Sequence, residues 1–204
     1  MFAVDLNFAV LKSGEVFKSN PRIHLLVASL FNLPFELSSF DLVYSQGVIM
    51  ATFSTWEAIK SIASYVRKDE FMFIWVYGLD DHLLRKGAIG LLTRTNYLLE
   101  KGLRPLISGT PKVLRDIFFT TTAFVLHPLI KSRVRHKATW KVKNTDHDLR
   151  DWLSPRYAHR HSYNEVFEWF EKLGFTIIDV QSPAAFRQLF QKQLWGVGLT
   201  GKKT

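Results

Sequence analysis

Residues 25–78 read LLVASLFNLPFELSSFDLVYSQGVIMATFSTWEAIKSIASYVRKDEFMFIWVYG, and the fold is decided here. Residues 25–28 form a short apolar run, closed by Ser29 and by the turn around Pro34. Residues 40–44 form a second run, with Asp41 near its start. Ser54-Thr55-Trp56-Glu57 has the spacing of a capping box, in which Ser54 caps a helix and Glu57 reaches back to it. Behind it Ile59, Ile62, Ala63 and Val66 fall at the spacing of one buried helical face. Arg67 and Lys68 then place cations where the helix dipole is negative. Residues 71–77 are a near-continuous apolar run ending at Gly78, the pattern of a strand buried on both faces. Strand, turn, strand, helix, strand is the order of a parallel sheet with a crossover helix.

The flanks extend the same pattern. Residues 1–6 read as a short strand ending in a carboxylate, Asp5, and Asn7 is placed to cap a helix carrying Phe8 and Leu11. Residues 45–49, Ser-Gln-Gly-Val-Ile, follow a strand at the carboxyl edge, where open α/β sheets bind ligands. Helical patches are expected over 82–92, over 93–102 and from Thr110-Pro111 onward. Further on, residues 152–162 read WLSPRYAHRHS, and Ser162 with Glu165 repeats the capping-box spacing. The helix it opens would bury Val166, Trp169, Phe170 and Leu173. A strand over 175–180 and a closing strand over 193–199 complete the chain.

The composition bounds the function classes. A chain of 204 residues with 47% hydrophobic and 22% charged residues is an ordinary globular protein. It has no cysteine, which excludes a disulfide frame and a thiolate metal site. No apolar run reaches the roughly 18 residues of a membrane span, and no secretory signal is read at the N-terminus. A cytoplasmic protein, soluble or membrane-peripheral, is expected. The net charge of +9 is local: ten Lys/Arg lie between Lys101 and Lys143 against one acid, Asp116, and the other 17 of each sign balance. Asp146-His147-Asp148 does not have metal-ligand spacing on one helical face.

The segment 25–78 resembles the second half of the class I, Rossmann-like methyltransferases that use S-adenosylmethionine, the small-molecule type in particular. The residues that carry the likeness are Asn32-Leu33-Pro34-Phe35, the run Phe40-Asp41-Leu42-Val43-Tyr44, Ser45-Gln46-Gly47-Val48-Ile49, and the strand end Trp75-Val76-Tyr77-Gly78. The resemblance implies an α/β, Rossmann-like three-layer sandwich, its sheet mostly parallel with an antiparallel final strand. It further implies a core from the second strand onward over 1–80, a helical basic insert or cap over 81–150, and a returning core over 151–204.

The family's site residues carry over as expectations. Asp5, with Leu6 beside it, stands where the family holds the cofactor ribose; a carboxylate accepts two hydrogen bonds side by side from a diol. Ser29 and the backbone of Leu30 stand at the adenine edge, and Ser45, Gln46 and Val48 on the methionine side. Tyr157, His159 and His161 are the acid/base candidates, because a near-neutral imidazole can take a proton from an acceptor hydroxyl or amine. Each of these positions also has a plainer reading, as a residue that closes a strand or holds a loop.

Two departures set limits. The family's first strand and glycine-rich turn do not precede Asp5 here, so the expected chain is N-terminally truncated, a fragment of the full enzyme. Where many relatives carry histidine after the Ser45–Ile49 stretch, this chain has Met50 and Ala51. The expected reaction is methyl transfer from S-adenosylmethionine to a small-molecule acceptor, a lipid-like one included. The alternative is a non-catalytic relative that associates with an anionic membrane through the basic insert. The insert also reads as a cap over the site; nucleic acid is disfavoured, since charge alone is non-specific and no RNA-binding signature is present.

Overall fold

The computed structural model describes residues 1–79, 87–133, 139–181 and 196–204. The chain divides into two compact units, Met1–Leu79 with Arg160–Thr204, and Asp80–His159.

The first unit is the α/β part. Strands β1 (Phe2–Asp5) and β2 (His24–Val27) pair in parallel, with Asp5 opposite Val27. Between them run two single-turn helices, α1 (Ala9–Lys12) and α2 (Gly14–Phe17). Asn7 does not cap a helix as expected: the N-cap of α1 is Phe8, which makes no side-chain cap bond, and Asn7 Oδ1 accepts from the N–H of Ala9 at 2.9 Å in the turn before it.

A second sheet holds β3 (Phe40–Gln46), β4 (Val66–Gly78), β5 (Arg160–His161), β6 (Phe175–Val180) and β7 (Gly196–Lys203). Its path is β3-β4-β7-β6, with β5 beside β4. The β3/β4 and β4/β5 pairs are parallel, and β7 is antiparallel to both β4 and β6. The sheet is therefore mixed, closed by an antiparallel final strand as read from the sequence. The expected closing strand began at 193; the described strand begins at Gly196, and 193–195 lie outside the described residues.

Two helices cover one face of this sheet. Ser54 caps α3 (Thr55–Ala63), its Oγ accepting from the N–H of Glu57 at 3.3 Å. Ser162 does the same for α7 (Tyr163–Lys172) with the N–H of Glu165 at 3.2 Å. Ile59 and Ile62 of α3 and Val166, Trp169 and Phe170 of α7 close over Met72, Ile74 and Val76 of β4 and Val197 and Leu199 of β7. The expectation that β4 is buried on both faces holds for one face only. Phe73, Trp75 and Tyr77 alternate with the buried positions and are half-buried. Lys203 closes the carboxyl end of α3, its Nζ donating to the carbonyls of Ala63 at 3.0 Å and Val66 at 2.8 Å; partial burial pulls its pKa below the usual lysine range.

The second unit is helical. It holds α4 (Gly87–Gly109), α5 (Lys112–Arg133) and α6 (Val142–Leu153). The two patches expected over 82–92 and 93–102 are one helix from residue 87 on, and it continues through Pro105; residues 82–86 lie outside the described residues. Ile107, Phe119, Ala123, Leu149 and Leu153 form its core. The contacts of this unit run from Asp80 to His159, with Leu149 and Leu153 of α6 in its core. Arg150 ties the helices together. It bonds Asp116, donates from Nε to Asp146 at 2.7 Å, and lies over the Phe119 ring at 5.1 Å. The Arg150 guanidinium, then Lys112, holds the Asp116 carboxyl below the usual carboxylate range. Asp146 is thus engaged with a cation, and among the described residues no group of three His, Asp or Glu is placed to hold a metal. No described helix is long and apolar enough to cross a membrane.

Candidate functional site

The carboxyl ends of β1, β2 and β3 carry the sequence-predicted binding residues. Phe2 and Phe40, the first residues of β1 and β3, are in ring contact at 6.0 Å, with Phe35 against both at 4.9 and 5.0 Å. The two parallel pairs thus start from one shared aromatic cluster.

Asp5 ends β1 with an exposed side chain. Its Oδ1 accepts from the N–H of Asn7 at 2.8 Å, and its own carbonyl accepts from Ala28 at 3.0 Å. The carboxylate is therefore oriented by the turn that follows it while facing solvent. Leu6, next in the chain, is exposed.

After β2 the chain turns at once. Ser29 bridges to Asn32, and its Oγ accepts from the N–H of Phe31 at 3.3 Å. The Leu30 carbonyl accepts from Ser61 Oγ of α3 at 2.6 Å. Phe31 meets Phe53, from the loop before α3, with ring centroids 4.7 Å apart. The segments after β2 and after β3 are thus pinned to each other twice. Both rings are exposed, 37% and 59%. The sequence reading did not single them out; two phenylalanines 22 positions apart give no local signal.

β3 ends with Ser45, half-buried, and Gln46, whose Oε1 accepts from the Tyr44 hydroxyl, so the strand runs two residues past the 44 read from the sequence. The Gly47 N–H donates to the Trp75 carbonyl at 3.1 Å, which keeps this stretch on β4. Val48 is 54% exposed, while Ile49 and Met50 turn into the core. Met50 is thus a packing residue.

The three acid/base candidates divide between the units. Tyr157 and His159 belong to the helical unit, their rings stacked 5.9 Å apart. His161 belongs to the α/β unit, 7% exposed, and both its ring nitrogens are engaged. Nδ1 is 3.0 Å from Glu165 Oε2 and Nε2 is 2.9 Å from Thr55 Oγ1. An ionised carboxylate only accepts, so Nδ1–H donates to Glu165. In the neutral ring Nε2 then accepts from the Thr55 hydroxyl. Trp169 packs edge-on against the ring at 4.8 Å. This geometry joins the first residue of α3 to the first turn of α7, and it leaves no ring nitrogen for substrate. His161 is a positioning residue in this arrangement.

His161→Ala is expected to lower stability by about 2–3 kcal/mol, because it strands the buried Thr55 hydroxyl and opens a space against Trp169. Denaturant unfolding followed by tryptophan fluorescence checks it. A loss of less than about 0.5 kcal/mol, the level of an ordinary surface change, contradicts the structural role.

The comparisons agree with this architecture. Residues 1–74 match the family described as a methyltransferase domain. No curated protein matches the chain. Among solved structures, an S-adenosylmethionine-dependent methyltransferase from Methanosarcina mazei superposes with a TM-score of 0.56 at 14% identity, over 99% of this chain and 81% of its own. The Burkholderia thailandensis 1,6-didemethyltoxoflavin-N1-methyltransferase, with 1,6-didemethyltoxoflavin and S-adenosylhomocysteine bound, gives 0.53 at 13% identity. That match covers 100% of this chain but only 60% of the enzyme's length. An S-adenosylmethionine-dependent methyltransferase from Mesorhizobium loti gives 0.52 at 12% identity, over 99% of this chain and 79% of its own. The chain thus carries a methyltransferase-domain match over its first 74 residues and has the fold of the class I, Rossmann-like S-adenosylmethionine-dependent methyltransferases.

Proposed function

We propose that the protein acts in S-adenosylmethionine-dependent methyl transfer to a small-molecule acceptor. The observation that supports this most is the carboxyl edge of the α/β unit. An exposed, turn-oriented carboxylate ends β1, and the segments after β2 and β3 are joined beside it through Ser61 and the Phe31–Phe53 pair.

The chemistry of this donor set fits the adenosyl group. Asp5 suits a ribose diol, because a carboxylate accepts from two hydroxyls at once. Ser29 offers a hydroxyl and the Leu30 region its backbone to a heterocycle edge. Phe31 and Phe53 present exposed ring faces of the kind on which a purine stacks. Ser45, Gln46 and Val48 belong to the methionine side of the same reading. When bound, the cofactor supplies an electrophilic methyl group on a sulfonium. The protein's share is then to align the acceptor and exclude water, worth several orders of magnitude in rate when the alignment is close. In this reading Tyr157 and His159 move the acceptor's proton, and His161 holds α3 and α7 in register. A lipid-like acceptor is the finer form of the proposal, supported by the apolar character of the helical unit.

Calorimetric titration of the full chain with S-adenosylhomocysteine tests the binding step. The wild-type chain is expected to give a one-site isotherm, and Asp5→Ala to weaken it about ten- to a hundred-fold, the scale of one lost charge-assisted pair of hydrogen bonds. The absence of heat from a folded wild-type chain, or an unchanged Asp5→Ala isotherm, overturns the assignment.

A further inference from the structure

Helices in the second unit have two distinct sides. On α4 the buried positions among the described residues are Gly90, Glu100, Arg104 and Ile107. Leu91, Leu98, Leu99, Leu103 and Leu106 are exposed, and at 3.6 residues per turn they span an arc of about 140° on the opposite side. On α5 the buried positions are Phe119 and Ala123. Val113, Leu114, Ile117, Phe118, Phe124, Val125 and Leu129 are exposed and span about 160° on the side away from them. Phe124 is 71% exposed and Leu106 69%. Only threonine, glycine and Pro128 interrupt these arcs before Lys131.

Twelve large apolar side chains facing outward from two adjacent helices are far outside the isolated exposed residues of an ordinary surface. The charge says what covers them. Residues 87–133 hold seven Lys/Arg and two acids, Glu100 and Asp116. Both acids are bonded within the unit, Glu100 to Arg104 and Asp116 to Arg150 and Lys112. Lys101 and Lys131 are exposed beside the apolar arcs, and α4 and α5 carry no acid beyond these two. A second copy of the chain would bring the same basic rim against itself. An anionic bilayer surface complements it, with the apolar arcs at the acyl boundary and the long lysine stems reaching back to headgroups. Neither helix is apolar enough to cross, which fits a helix lying in the plane of the interface.

We propose that the outward faces of α4 and α5 are a docking surface for anionic lipid bilayers, holding the protein peripherally on a membrane. The inference is independent of methyl transfer: it requires neither cofactor nor acceptor.

The test is vesicle co-sedimentation of the full chain, with phosphatidylcholine alone and with phosphatidylcholine mixed with phosphatidylglycerol, at low and high salt. Binding is expected on the anionic vesicles and is expected to weaken as salt rises. Leu98→Glu with Phe124→Glu should reduce it at least about tenfold, since each removes one buried apolar side chain from the interface. Lys101→Glu with Lys131→Glu should remove the preference for anionic lipid while leaving far-UV circular dichroism unchanged. Absence of sedimentation by the folded wild type overturns the proposal. So does vesicle binding that the Leu98/Phe124 variant keeps in full. A dimer that this variant converts to monomer, without vesicle binding, assigns the face to a second copy instead. Salt-sensitive capture of RNA without vesicle binding assigns it to nucleic acid.

Discussion

Glu100→Ala is expected to cost the helical unit about 3–5 kcal/mol, the scale on which breaking one side of a buried ion pair destabilises a protein. Arg104 is 3% exposed and Glu100 6%, one turn apart on α4, and the guanidinium bonds the carboxylate directly. Arg104 Nε has no hydrogen-bond partner among the described residues, so the guanidinium already sits in a site that satisfies it incompletely. Removing the carboxylate would leave that cation buried without the anion opposite it, and the desolvation it suffered on folding would go uncompensated. The pair itself contributes little net stability, because two charges had to leave water to form it. The joint variant Glu100→Leu, Arg104→Met, which keeps volume and removes both charges, should therefore lie within about 1 kcal/mol of wild type or above it. Equilibrium unfolding in urea, followed by far-UV circular dichroism, compares the two. A Glu100→Ala loss below about 1 kcal/mol would place the pair in water and contradict its burial.

The contrast between this pair and the outward faces shows what the sequence could and could not convey. The N-caps at Ser54 and Ser162 were readable because a cap is a relation between residues three apart, and both hydroxyls accept from the expected N–H. The reciprocal half of each box does not form: Glu57 lies beside Lys60, and Glu165 bonds His161. The run 175–180 was readable as well: a short, largely apolar segment directly after Gly174 needs no distant information. The start of β4 was not. Residues 66–70, Val-Arg-Lys-Asp-Glu, have no strand pattern, yet they lie in the strand because Val66 pairs with Phe40 and Arg67 bonds Asp41. That is information held on another strand. The unbroken α4 is similar. Gly102 and Pro105 punctuate the sequence, but the helix continues because Arg104 and Ile107 are buried on one side of it.

The candidate site was legible in part. Asp5 and Ser45 were read at strand ends and lie in the last two residues of β1 and β3, and Ser29 lies two residues beyond β2. The partners that fix them were not found. Thr55 stands 106 positions from His161, so the local sequence that offered His161 as an acid/base candidate could not show that its nitrogens were already engaged. Phe31 and Phe53 escaped for the same reason. Local periodicity reports which residues share an element, and only packing reports which elements share a residue's side chain.

Gly201→Ala is expected to destabilise the α/β unit by about 1–3 kcal/mol, and Phe170→Ala to relieve most of that cost. Gly201 lies within β7, opposite Met72 of β4 and Ile177 of β6, under the helix α7. A Cβ built there meets Phe170 Cδ1 at 2.5 Å and Cε1 at 2.7 Å, closer than real atoms approach. Phe170 is fully buried and packs edge-on against Phe175 at 5.7 Å, so its ring has no free rotamer to retreat into. The methyl must push α7 off the sheet or twist the ring. Phe170→Ala alone should cost about 3–5 kcal/mol through the cavity it leaves. In the double variant the new methyl occupies part of that cavity, so the summed losses should exceed the observed one by at least about 1 kcal/mol. Gly196→Ala is the control. Its Cβ would stand 2.4 Å from the backbone carbonyl oxygen of Val76, a contact no side-chain truncation removes, and it lies five residues away along the same strand. Its cost should therefore add to that of Phe170→Ala within about 0.5 kcal/mol. Additivity at Gly201, or rescue at Gly196, would mean that α7 does not rest on β7 through Phe170.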